Sequence, residues 1–177
     1  MKRQDLEHLL RAAAGITGYD RFVVIDSPSI LGTHPDPPAE LLHSVEADLF
    51  TLRSPDDAQL IDGSIGELSP FHRTFGYYAH GVGIETAVLP SGWQERLVPL
   101  RSARTNGAAG RCLETHDLAV SKLVAGRPKD ADYVTALLRH RLVDLPTIRN
   151  RLEHTSLTPE ARAGCEARLA RCANART

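Results

Sequence analysis

FVVIDSPSILG (22–32) and, beyond a proline-rich loop, SVEADLF (44–50) are the two segments on which the reading of this chain turns. The first opens with an apolar, largely β-branched run, Phe22-Val23-Val24-Ile25, that stops at Asp26-Ser27-Pro28-Ser29. That is the pattern of a buried strand running into a turn. Ser27 suits a helix N-cap and Pro28 the first helical position, so a short helix is expected through Ile30 and Leu31, ending near Gly32. In the second segment, Glu46 and Asp48 are separated by one residue. Side chains alternate along a strand, so both carboxylates are predicted on one face, with Val45, Ala47 and Leu49 on the other. Two carboxylates beside a helix N-terminus suit phosphoryl transfer: the acids hold Mg²⁺ and the helix N-terminus receives phosphate oxygens.

Working outward, the 177 residues fit a chain with a sizeable core, and 42% hydrophobic with 24% charged residues is ordinary for a globular protein. No run approaches the roughly 20 apolar residues of a membrane span, and the opening MKRQDLEHLL lacks the apolar stretch of a signal peptide. Three cysteines, Cys112, Cys165 and Cys172, without a C-x-x-C spacing point to a reduced, cytoplasmic setting rather than a disulfide framework. Charge is divided unevenly. Residues 1–95 carry 6 Lys/Arg against 14 Asp/Glu, whereas residues 96–177 carry 15 against 8. An acidic part with cation-ligand spacing and a basic part suit a phosphate-bearing substrate, unless the two charges simply offset each other.

Apolar spacing in 4–14 predicts a packing helix closed by Gly15 and Gly18. Ser54-Pro55-Asp56-Asp57 resembles a helix start continuing weakly through 58–68. Strands are expected at 76–80 and 84–89, joined through Gly81-Val82-Gly83, with Glu85 opening the second. Phe75, Tyr77 and Tyr78, three of the eight Phe and Tyr residues, either pack the core or form a platform for bases. Trp93 begins a helical turn, strands are expected at 97–100 and 110–113, and helices at 115–125, 129–142, 145–154 and 158–174. The last has a thin apolar face, leaving open fraying or docking elsewhere. The eight histidines show no H-x-x-x-H pair, so no metal is assigned to them. There is no Walker A motif, and Ser27 lacks the G-x-S-x-G setting of a hydrolase nucleophile.

Strand, serine-bearing turn, short helix, loop and acid-x-acid strand, in that order, resemble the polymerase-β-type minimal nucleotidyltransferase superfamily. Within it the chain is most similar to AbiEii-like toxin nucleotidyltransferases of bacterial toxin–antitoxin systems. A second block, ETHDLAVSKLVAGRPKDADY (114–133), is similar to the helical block of those proteins. There a lysine and a following Arg-x-Lys-Asp segment face the nucleotide. The resemblance implies an α+β fold, a small mixed sheet flanked by helices over residues 1–114 and a helical C-terminal part over 115–177. It implies Mg²⁺ (or Mn²⁺) on Glu46 and Asp48, with Glu85 as a third carboxylate. Asp26, Ser27, Lys122, Arg127 and Lys129 would meet an NTP, and Asp130 would orient the attacking hydroxyl. Lys122 is expected to be replaceable by alanine with little loss of stability. The implied acceptor is an RNA or tRNA end, and the implied partner an antitoxin protein. The sequence departs from the family at two places: Asp26 stands where glycine is usual, and Glu46 where aspartate is. A carboxylate at 26 adds bulk and negative charge where backbone should approach phosphate, so an inactive member that binds RNA or a partner protein is the alternative.

Overall fold

The computed structural model describes residues 1–175. It divides into two units, Met1–Thr86 with Leu97–Leu113, and Ala87–Arg96 with Glu114–Thr177. The segment 87–96 thus belongs with the second unit although it precedes the end of the first in sequence.

The first unit is built on a five-stranded mixed sheet with strand order β3-β2-β1-β5-β4. Its strands are β1 (Arg21–Ile25), β2 (Glu46–Phe50), β3 (Tyr78–Gly81), β4 (Val98–Leu100) and β5 (Ala109–Cys112). β1 pairs antiparallel with β2 and parallel with β5; β2 pairs parallel with β3, and β4 antiparallel with β5. Because β1 is central, Phe22, Val23, Val24 and Ile25 are all buried, which is why its sequence is a continuous apolar run instead of an alternation. β2 keeps the alternation, burying Ala47 and Leu49 while Glu46 and Asp48 stay half-exposed. Pro99 sits in β4, an edge strand, where a missing N–H is tolerated.

Around the sheet lie α1 (Arg3–Thr17), α2 (Ile30–Thr33), α3 (Asp56–Ile65) and α4 (Pro70–Phe75). α1 buries Leu6, Leu9, Leu10 and Ala13 and ends at Gly18, whose left-handed φ of 65° caps the helix; Gly15, expected to help close it, lies inside. α3 covers the open edge of β3. The Gly81 N–H donates to Asp62 Oδ1 at 3.2 Å, and a Cβ on Gly81 would lie 1.9 Å from the Ala58 carbonyl oxygen, so no larger residue fits. The strand expected at 84–89 is absent. β3 ends at Gly81 and is followed by a 3₁₀ turn, Ile84–Thr86, while residues 70–75, unassigned from sequence, form α4 with Ser69 as its cap. Phe71, Phe75 and Tyr77 pack on one another and on His8, whose Nδ1 lies 2.8 Å from the Tyr77 hydroxyl.

The second unit is helical: α5 (Thr115–Ala125), α6 (Pro128–Arg139), α7 (Leu145–Glu153) and α8 (Pro159–Ala175). α8 does not hang loose. Cys165, Leu169 and Cys172 bury its narrow face, and Arg168 Nη1 donates to the Leu123 carbonyl at 2.8 Å. Asp117 is fully buried and held by Arg96, whose Nε and Nη2 lie 2.8 and 3.0 Å from its two oxygens, with Arg151 at 3.3 Å. This pairing fastens the 87–96 segment to α5. All three cysteines are buried free thiols. Among the described residues no helix is long and apolar enough to cross a membrane.

Candidate functional site

The parallel register of β2 and β3 sets Glu46 opposite Tyr78 and Asp48 opposite His80. Directly paired residues project to the same face, so two acids, a phenol and an imidazole form a block of four neighbours. The Tyr78 hydroxyl donates to Glu46 Oε2 at 3.1 Å, and His80 Nδ1 lies 2.8 Å from Glu46 Oε1. Glu46, Asp48 and His80 each offer a ligand atom within 4.8 Å of the others, the one such trio among the described residues. A divalent cation fits this donor set, since carboxylate oxygens and imidazole nitrogen are both cation ligands.

Electrostatics show how closely negative charge is gathered here. Burial pushes the Asp48 carboxyl up to about 7, helped by the charges of Asp26 and Glu46 and a hydrogen bond with Glu46, and opposed by His80. Burial and the Glu46 charge likewise push the Tyr78 phenol up to about 12, so it remains a hydrogen-bond donor to Glu46.

Asp26 follows β1 and takes φ 57° and ψ −164°, a region that glycine enters readily and other residues do not. The backbone at Asp26 therefore takes a conformation that glycine enters readily, under an aspartate side chain. The turn is fixed by Ser29, whose N–H and hydroxyl both donate to the Asp26 carbonyl, at 3.0 and 2.7 Å. The cap is Asp26, not Ser27. Ser27–Ser29 form a 3₁₀ turn leading into the four residues of α2, so the helix N-terminus expected at Ser27 is a single tight turn.

Glu85 corrects the expected third ligand. It lies exposed on the 84–86 turn with its carboxylate folded back over Gly83, and it is not part of the trio. His80 stands there instead. A search for paired histidines misses it, because its partners are carboxylates on the neighbouring strand. The available signal was the alternation of Tyr78 and His80 on one face of the strand beside E-x-D.

In the second unit, Lys122 is not the surface lysine that the expected alanine tolerance requires. Its side chain is only 4% exposed, with Nζ 3.3 Å from Asp130 Oδ1 and 4.7 Å from the centre of the Tyr133 ring. Asp130 is fully buried and also receives Arg127, through Nε at 2.6 Å, Nη2 at 3.1 Å and the backbone N–H at 3.2 Å. Burial works to raise the Asp130 carboxyl, but the Arg127 and Lys122 charges outweigh it and hold it below its ordinary value. Asp130 therefore caps α6 and joins Lys122 to Arg127; Lys129 points to solvent.

A mixed sheet whose second strand presents two acids beside a tight turn after the first is the arrangement of a nucleotidyl-transfer fold. The chain belongs to the family described as nucleotidyltransferase of unknown function (DUF6036), whose sequence profile matches residues 8–170. That membership supports nucleotidyl transfer as the general kind of activity. No curated protein and no solved structure matches the chain.

Proposed function

We propose that the protein transfers a nucleoside monophosphate from an NTP to a hydroxyl acceptor, with Mg²⁺ or Mn²⁺ held by Glu46 and Asp48. The observation that carries this reading is the convergence of those two carboxylates on one strand face in a chain of the nucleotidyltransferase family. A divalent cation supplies charge neutralisation to the triphosphate during in-line displacement. The chain's own groups set the stage for it. Tyr78 and His80 fix both oxygens of Glu46, so the carboxylate is oriented before any ligand arrives. Ser27 and the amides of its turn receive phosphate oxygens. Within the second unit, Asp130 holds both the Arg127 guanidinium and the Lys122 ammonium.

The proposed acceptor is an RNA end such as the 3′ end of tRNA. The proposed role is that of a toxin whose antitoxin is a separate protein. The similarity of residues 114–133 to the helical block of AbiEii-like proteins supports this, as does the excess of basic residues after position 95. Incubation with each labelled NTP, total RNA and Mg²⁺ or Mn²⁺ tests the reading. Label should enter RNA and vanish with Glu46→Gln or Asp48→Asn. Absence of label with all four nucleotides, or its persistence in those variants, refutes it.

The strained carboxylate at Asp26 favours a second reading: an inactive member that binds RNA or a partner protein. A thermal-shift titration with NTP and Mg²⁺ separates the two, because only a nucleotide-binding chain is stabilised.

A further inference from the structure

We propose that the cation site is a mixed nitrogen–oxygen site, Glu46–Asp48–His80, that selects a first-row transition-metal cation over Mg²⁺. The inference rests on Glu46 and Asp48 being the cation site, and it names the third ligand and the class of ion.

The argument starts from register. His80 is directly opposite Asp48 on hydrogen-bonded parallel strands, and Glu46 is one pair away on the same face. All three donors therefore stand on regular strands, whose backbones hold side chains more firmly than loops do. The imidazole is already inside the trio, within 4.8 Å of both acids, without any rearrangement of β3. His80 Nδ1 lies 2.8 Å from Oε1 of Glu46, a contact that a cation held between the two would replace, while Tyr78 donates to Oε2. Such an outer partner orients a ligand. Beyond the trio, the Asp26 charge also acts on Asp48, adding a third negative charge to the two acids. A cation is the species that relieves this crowding.

Which cation follows from donor chemistry. Mg²⁺ demands oxygen ligands in near-ideal octahedral geometry and usually keeps several waters. Imidazole nitrogen contributes little to it and much to the ions from Mn²⁺ to Zn²⁺. A third carboxylate at position 80 would have made an all-oxygen site; histidine there shifts the preference.

Titration of the full chain with Mn²⁺, followed by electron paramagnetic resonance, tests this without nucleotide. Mg²⁺ should displace bound Mn²⁺ only at roughly tenfold or greater excess, and electron spin-echo modulation should show a directly bonded ¹⁴N. His80→Gln should lose the ¹⁴N modulation and weaken Mn²⁺ by roughly 10-fold or more, the scale on which even indirect partners of a ligand act. His80→Asp, an all-oxygen set, should still bind Mn²⁺ but yield it to Mg²⁺ more readily, which an unfolded variant would not do. Displacement of Mn²⁺ by equimolar Mg²⁺ from the unmodified chain, or absence of ¹⁴N modulation, overturns the proposal. The outcomes are separable from those of the activity assay. Nitrogen-ligated Mn²⁺ without nucleotidyl transfer refutes the proposed function alone, and Mg²⁺-supported transfer without the ¹⁴N signal refutes this inference alone.

Discussion

Replacing Asp26 by glycine should both stabilise the protein and raise its affinity for a nucleoside triphosphate. The stability gain comes from the backbone. At φ 57° and ψ −164° a residue with a Cβ is strained, at a cost of about 1–3 kcal/mol. Glycine removes the strain but adds unfolded-chain freedom of about 0.5–1 kcal/mol. The expected net is therefore about 1 kcal/mol, or about 2–4 °C in Tm for a chain of this length. The affinity gain comes from charge. A carboxylate about 4 Å from a phosphate oxygen costs about 4 kcal/mol at an effective dielectric of 20 and about 1 kcal/mol in water. Asp26 is half-buried, so the change in NTP affinity should fall between about one and three decades. The Asp48 carboxyl, now at about 7, should fall as well, because the Asp26 charge helps to hold it there. Thermal unfolding, NTP titration with Mg²⁺ or Mn²⁺ and carboxyl NMR measure the three effects. Asp26→Ala and Asp26→Asn separate the causes, since both remove the charge and keep the Cβ. If alanine is as stabilising as glycine, the strain argument is wrong. If asparagine binds NTP no better than aspartate, the electrostatic argument is wrong. Tight binding by the unmodified chain, lost with glycine, would make Asp26 a ligand.

Glu46→Gln and Asp48→Asn should each lower turnover by about 10³-fold, the scale of the several kcal/mol that a Lewis-acid cation supplies, with far-ultraviolet circular dichroism unchanged. Lys122→Ala should destabilise by about 1–3 kcal/mol in urea unfolding, because it removes one partner of the buried Asp130 while Arg127 remains; a loss well under about 1 kcal/mol would return Lys122 to the surface. The cluster Glu114–His116–Asp144 makes stability pH-dependent. Burial works to lower His116, yet Glu114 and Asp144 outweigh it and hold it above its ordinary 6.5, so its contribution is present below 6.5 and lost as pH rises through the raised value. Burial works to raise Glu114, but His116 outweighs it and holds it below its ordinary 4.5, so that contribution is present above 4.5 and lost as pH falls further. Relative to His116→Gln, the unmodified protein should therefore lose stability as pH rises above 6.5 in urea titrations, and a parallel pair of curves would count against the cluster. RNA affinity should fall steeply between low and physiological salt as counterions are released; a flat dependence excludes a phosphate-reading surface.

The strands of the acid site were legible in the sequence because each declares itself locally. Phe22–Ile25 is apolar throughout because it is central, and E-A-D alternates because one face of β2 is open. The helices after residue 114 were legible for the same reason, being periodic and separated by Gly126-Arg127-Pro128 and capped at Asp144. Other features are decided by partners distant in sequence. The alternation of Tyr78 and His80 does not by itself single out a ligand; His80 becomes one candidate among three only when β3 pairs in register with β2. Lys122 looks like a solvated helix lysine until α6 brings Asp130 and Tyr133 against it. Glu85 falls outside the trio that the resemblance implied for it because β3 stops at Gly81 and the chain turns at Ile84–Thr86. Asp26 belongs to both categories. The resemblance marks it as standing where glycine is usual, but only the backbone angles disclose that it adopts a conformation glycine favours. Local propensity and periodicity are properties of neighbouring residues, whereas register, ion pairing and close approach are set by tertiary contacts, and those decided the composition of this site.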